Sequence, residues 1–232
     1  MVDAADPAAL ARFWAEATGW PPAAPSGTAV SLRSAAGTGP FLEFLVVGEP
    51  KRVKNRVHLD VAPRPGDDHA AEVARLRALG ATPADVGQGD VPWVVLADPE
   101  GNELCVLDPR EEYAATGAVA AIVVDAADPA GQARFWAEAA GWPPAAPSGT
   151  AVSLRAASGT GPFLEFLAVD EPKRAKNRVH LDVAPHPDDD HAAEVARLRA
   201  LGATPADVGQ GDVTWVVLAD PEGNELCVLT PR

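Results

Sequence analysis

Residues 1–110 and 123–232 align without a gap at a constant offset of 122, and they differ at only 13 positions. Stretches that similar must fold alike, so whatever architecture one copy adopts has to be built twice. A period of this length is a whole domain, because stacked solenoid units repeat every 20 to 50 residues or so. The two units are expected at 1–110 and 118–232, joined by a linker at 111–117 within the polar stretch DPREEYAATG.

Within one copy, Asp6-Pro7 supplies a helix N-cap followed by proline at the first helical position. Leu10, Phe13, Trp14 and Ala17 then recur at helical spacing as one apolar stripe, and Gly19 ends the helix. Two strands are expected at Thr28 to Arg33 and Pro40 to Val47, separated by the turn Ala36-Gly37-Thr38-Gly39. Lys51 to Val61, KRVKNRVHLDV, returns as Lys173 to Val183 and reads as an extended run. Alternation puts His58 and Asp60 on one face of it and Val57, Leu59 and Val61 on the other. A second helix follows, capped by Asp67 or Asp68, with Val73, Leu76 and Leu79 inward. His69 and His191 fall in its first turn and are expected in solvent. Short strands at Ala81 to Val86 and Val91 to Ala97 lead to Asp98-Pro99-Glu100-Gly101, which has the preferences of a type I turn. Glu103 to Leu107 closes the unit. Each copy thus holds two βαβββ modules. The first copy has a truncated first strand, since only Met1 and Val2 precede Asp3, whereas Ala118 to Val124 precede the equivalent helix of the second copy.

A formal charge of −14 disfavours nucleic acid as a partner, because wrapping a polyanion needs a basic surface. No apolar run approaches the roughly 20 residues that span a bilayer, so no membrane is expected. The N-terminus lacks the basic start and apolar core of a secretory signal, which points to the cytoplasm. A disulfide between Cys105 and Cys227, equivalent positions of the two copies, is not expected there.

The Phe-Trp helix, the HLDV strand and the turn DPEGNE, taken in this order, resemble the vicinal-oxygen-chelate superfamily. KNRVHLDV with ADPEGNELCV is similar, more narrowly, to the glyoxalase-like domains of that superfamily, and the likeness covers nearly the whole chain twice. It implies an α+β fold, a tandem duplication in which four βαβββ modules form two curled mixed sheets, packed as an internal pseudo-dimer. Whether modules pair within a copy or between copies stays open, as does monomer against homodimer.

The resemblance also implies a site, usually a divalent metal held by His and Glu from facing strands. His58 and His180 match the strand histidine, and Glu43 and Glu165 match an acidic position; these four are the candidate catalytic residues. The first-strand ligand position falls near Ala121 and the last-strand glutamate position at Cys105 and Cys227. With two of four ligand positions altered, no metal ligand is assigned and no cofactor is expected; zinc, iron, nickel or manganese are the ions to look for if one binds. Asp60, Asp182, Cys105, Cys227, Trp93, Trp215, Arg56 and Arg178 are the candidate ligand-binding residues, and Trp20 and Trp142 could add stacking surface. Lys51, Arg52, Lys54 and Arg56 could meet an anion, or simply form a solvated strand entry. The reading that follows is a small-molecule binding protein of the glyoxalase and bleomycin-resistance type. The alternatives are a metal-dependent lyase, isomerase or dioxygenase, and a scaffold without a ligand.

Overall fold

The computed structural model describes residues 1–23, 29–34, 40–63, 66–146 and 150–231. Its elements run β1 (Val2–Ala4), α1 (Pro7–Thr18), β2 (Val30–Arg33), β3 (Phe41–Val46), β4 (Val57–Val61), α2 (His69–Ala78), β5 (Thr82–Pro83), β6 (Val94–Ala97) and β7 (Glu103–Val106). The second copy gives β8 (Val119–Ala126), α3 (Pro129–Ala140), β9 (Val152–Arg155), β10 (Phe163–Ala168), β11 (Leu181–Val183), α4 (His191–Ala200), β12 (Thr204–Pro205), β13 (Val216–Ala219) and β14 (Glu225–Val228). The fold is α+β with mixed sheets. Thr28 and the turn at 36–39 lie outside the described residues.

Local signals act as their chemistry dictates. Asp6 caps α1 by accepting from the Ala9 amide at 2.9 Å, and Gly19 closes it at φ 71°, a left-handed conformation that costs glycine least. The buried stripe Leu10, Phe13, Trp14 and Ala17 lies inward, with the two rings edge to face at 5.6 Å. Asp68 caps α2 through the Ala71 amide at 2.7 Å. Pro22–Leu32 and Pro144–Leu154 bridges add a further short pairing to the modules whose strands are otherwise fewest. β1 has three residues and its counterpart β8 has eight.

The sheets do not follow the copies. One seven-stranded sheet runs β5-β6-β7-β4-β8-β10-β9, so strands from the second half of copy one continue directly into strands from the first half of copy two. The seam is the antiparallel pairing of Val57–Asp60 with Val124–Ala121. The remaining modules meet in the same way: β2-β3-β1 joins β11-β14-β13-β12 through the Val2–Val179 bridge, with the Asp3 amide donating to the Arg178 carbonyl at 2.8 Å. The Asp125 amide donates to the Arg56 carbonyl at the equivalent place, also at 2.8 Å. Modules are therefore exchanged between copies.

Much of the repeated motif is used to fasten these halves. Asn55 donates to Asn102 at 3.0 Å, and Asn102 donates to the buried Asp98, which also accepts from Trp14 Nε1 at 3.2 Å. Burial pushes Asp98 up, against the downward pull of those bonds. Glu100 accepts from the Ala5 and Asp6 amides at 2.8 and 2.9 Å and from Arg178 at 3.0 Å, tying a turn of copy one to a strand of copy two. Glu222 repeats the arrangement with Ala127, Asp128 and Arg56. His69 and His191 are not in solvent, as their place in a first turn suggested. Each is half-buried, with Nε2 at 2.9 and 3.0 Å from the Val106 and Val228 carbonyls, because α2 and α4 lie against β7 and β14.

Candidate functional site

Strand register assembles the site. On the seven-stranded sheet, Ser153, Glu165, Val123 and His58 are successive partners across four strands, and Arg155, Phe163, Ala121, Asp60 and Cys105 form the next row. Cross-strand partners project to the same face, so all of these side chains share one surface. His58 Nδ1 lies 2.9 Å from Asp60 Oδ1, and donor atoms of His58, Asp60 and Cys105 all fall within 4.8 Å of one another. Ser153 Oγ donates to Glu165 at 3.1 Å. Two strand spacings separate Glu165 from His58, about 10 Å at the backbone.

Burial sets the electrostatics. It would lower His58, but the charge and hydrogen bond of Asp60 outweigh it and hold the imidazole above its ordinary value. Asp60 thereby fixes the ring through Nδ1. Glu165 is pushed up to about 7, chiefly by burial; Ser153 pulls it down, and the carboxylates of Asp60 and Glu112 push it further up. Cys105 and Cys227 are free thiols, raised far above the usual range by burial and by the charges of Asp60 and Asp182. Glu165 can exchange a proton near neutral pH, but neither thiol is a ready nucleophile.

The other half repeats this chemistry in a more open setting. Ser31 donates to Glu43 at 3.0 Å, and His180 Nδ1 lies 2.8 Å from Asp182 Oδ1. Here a pocket of about 700 Å³ is lined by Glu43, His180 and Asp182 together with Trp20, Phe41 and Leu42. The segment between the copies packs on one site. A 3₁₀ turn at Glu111–Tyr113 lays Tyr113 edge-on against Phe163 at 6.4 Å, so Phe163 is 7% exposed while its counterpart Phe41 is 45% exposed. The connector packs over the first site.

A sequence model of the glyoxalase-like domain matches residues 1–107 and again 121–229. The chain belongs to the glyoxalase-like domain family. Among solved structures, glyoxalase I from Zea mays is 15% identical with a TM-score of 0.64, over 99% of this chain and 90% of the maize chain. A candidate dioxygenase from Bacillus subtilis subsp. subtilis str. 168 is 13% identical with a TM-score of 0.66, over 99% of this chain and 83% of that one. These likenesses concern the fold. No curated protein matches the chain.

This glyoxalase-like chain departs from the four-ligand centre that the family resemblance implies. Ala121, fully buried, has no donor to offer, and a neutral thiol stands at Cys105 where a carboxylate is implied. His58, Asp60 and Cys105 are a three-donor set whose thiol suits zinc better than iron or manganese. An ion there would have to displace the Cys105 proton and the His58–Asp60 hydrogen bond, so the implied centre does not fit these residues as they stand.

The structure decides which acid stands with which histidine, and it corrects the placing of the arginines. Glu43 is not the partner of His58: it sits on β3 in the sheet that meets Arg178 to His180, and it lines the pocket of His180. Glu165 takes that place beside His58, because modules are exchanged. Arg56 and Arg178 lie away from the pocket, in the cleft between the copies, where they bind Glu222 and Glu100 and the carbonyls of Asp125 and Asp3. Lys51 and Lys54 in that cleft are paired with Glu103 and Asp125. Trp93 is half-buried against the cluster around Cys105, Trp215 is half-buried beside β13, and Trp142 packs on the main core. Trp20, buried at 6% exposure, reaches the open pocket. Tyr113 was missed; a tyrosine in an otherwise polar linker, and the only one in the chain, was the available signal.

Proposed function

We propose that this glyoxalase-like protein binds a small molecule in the pocket of His180, without a resident metal and without turnover. The observation that carries the reading is the open pocket of about 700 Å³, which joins an aromatic and aliphatic wall of Trp20, Phe41 and Leu42 to a single polar edge at Glu43, His180 and Asp182. That volume and mixture suit a compact, largely apolar ligand oriented by a few polar groups. The roofed counterpart at His58 plays no part in capture and keeps its proton-exchanging Glu165 out of contact with the ligand. A metal-dependent lyase, isomerase or dioxygenase is the second reading, favoured by the recurrence of His, Asp and Cys donors within 4.8 Å in both halves.

Thermal unfolding in the presence of small aromatic and dicarbonyl compounds, each with and without zinc, iron, nickel or manganese, tests the choice. A ligand at a hundredfold excess over its dissociation constant adds about 2.7 kcal/mol of stability. At this chain length that is a rise in Tm of roughly 5 to 11 °C. The expected result is a rise with some organic compound that needs no metal and is accompanied by a change in Trp20 emission. Stabilisation that appears only with metal present would favour the enzyme.

A further inference from the structure

We infer that the ligand of the open pocket presents an aromatic ring edge-on to Phe41, in the place that Tyr113 takes in the other half. This deepens the reading of the pocket given above and rests on it. The inference starts from the constant offset of 122, which gives each residue of one half an equivalent in the other. Tyr113 belongs to a buried cluster with Ala62, Leu107 and Phe163. The equivalents of these three are Ala184, Leu229 and Phe41, and all of them line the open pocket. None is buried there: Ala184 and Phe41 are exposed, and Leu229 is half-buried. The surface that a phenol ring covers in the half of His58 is therefore pocket wall in the half of His180.

The phenylalanine that receives Tyr113 is set in the same way in both halves. Arg155 pairs with Phe163 across antiparallel strands and lies over its ring at 4.4 Å, and Arg33 pairs with Phe41 and lies over that ring at 4.8 Å. Phe41 is thus already held as Phe163 is held when it meets Tyr113, at 6.4 Å between centroids and 77° between ring planes. An inclined pair of this kind turns the positive edge of one ring toward the negative face of the other, which a saturated ring of the same size does not reproduce. Tyr113 is anchored from the backbone, since the Gly161 amide donates to the Ala115 carbonyl at 3.0 Å and Thr116 Oγ1 donates to the Tyr113 carbonyl at 2.9 Å. Its side chain can be removed without touching those bonds.

The test uses the intact chain and two probes of matched size, phenol and cyclohexanol, followed by titration calorimetry. Phenol is expected to bind at a single site per chain and roughly twofold to tenfold more tightly than cyclohexanol, the range that an aromatic pair adds beyond burial. Phe41→Leu keeps an apolar side chain at that place and is expected to remove the preference while leaving cyclohexanol binding nearly unchanged. Tyr113→Ala is expected to raise the phenol stoichiometry from one to two per chain, because the ring-sized space beside Phe163 becomes available. Equal or tighter binding of cyclohexanol overturns the inference while leaving the pocket in place. Binding of neither probe overturns the pocket reading itself. A phenol preference that survives in Phe41→Leu overturns the assignment to Phe41, and a stoichiometry still at one in a folded Tyr113→Ala protein overturns the equivalence of Tyr113 with the ligand. Should either variant fail to fold, the order of the two probes on the unmodified protein decides.

Discussion

Glu165→Gln is expected to make the protein more stable above pH 7, by up to about 3 kcal/mol at pH 8, and to change nothing at pH 4. Glu165 is buried at 8% exposure, and its carboxyl is pushed up to about 7 from an ordinary 4.5. The folded state therefore holds this proton more tightly than the unfolded chain does. A raised pKa of this kind contributes stability that is fully present below the unfolded value and is lost as pH rises through the folded value. In the native protein that loss should run from about pH 4.5 to pH 7 and above. Glutamine has the shape of the protonated acid and does not titrate, so the variant should lack this slope while still accepting the Ser153 hydrogen bond. Urea unfolding at half-unit pH steps provides the check: the two stability curves should coincide in acid and separate toward base. Curves parallel at every pH would mean that Glu165 ionises in the fold without penalty.

Gln132→Leu is expected to stabilise the protein by about 1–3 kcal/mol, the usual cost of a buried amide that finds no partner. Gln132 is 1% exposed on the inner face of α3, and neither its Oε1 nor its Nε2 has a hydrogen-bond partner. The equivalent residue of the first copy is Leu10, also 1% exposed, so the same helix already accommodates leucine at that place. For a chain of this length the gain corresponds to a rise in Tm of roughly 2 to 12 °C. Denaturant unfolding should show a higher midpoint with an unchanged slope. A neutral or destabilising result would show that Gln132 is bonded in solution, for instance to a buried water.

What the sequence revealed of this fold was what neighbours along the chain can encode. Asp6-Pro7, the stripe from Leu10 to Ala17 and Gly19 placed α1 to the residue, because capping and helical spacing are local. Alternation put His58 and Asp60 together for the same reason, and they are bonded at 2.9 Å. Which strand lies beside which is not local. Two copies so alike offer the same edge twice, so nothing in the pattern of Val57–Val61 distinguishes β1 from β8 as its neighbour. Whether Glu43 or Glu165 stands with His58 turned on that point, and so did the placing of Arg56 among the ligand-binding residues, since both depend on which halves meet. The DPEGNE turn and the KNR segment were legible as motifs but silent about purpose. They turn out to be spent largely on bonds between modules, among them Trp14 to Asp98 and Arg178 to Glu100, while Asn55 to Asn102 holds a single module together. The inequality of the two sites was visible only in Tyr113, whose contact with Phe163 spans a segment that composition marks as linker.

The central claim is that the pocket works without a resident metal, and elemental analysis of protein purified without chelator tests it most directly. The account predicts well under one equivalent of zinc, iron, nickel or manganese per chain, because Ala121 supplies no ligand to the His58 site and, in both sites, Cys105 and Cys227 rest as buried neutral thiols. Near-stoichiometric metal that disappears in His58→Ala and His180→Ala would contradict it and make the metal-dependent enzyme the better reading.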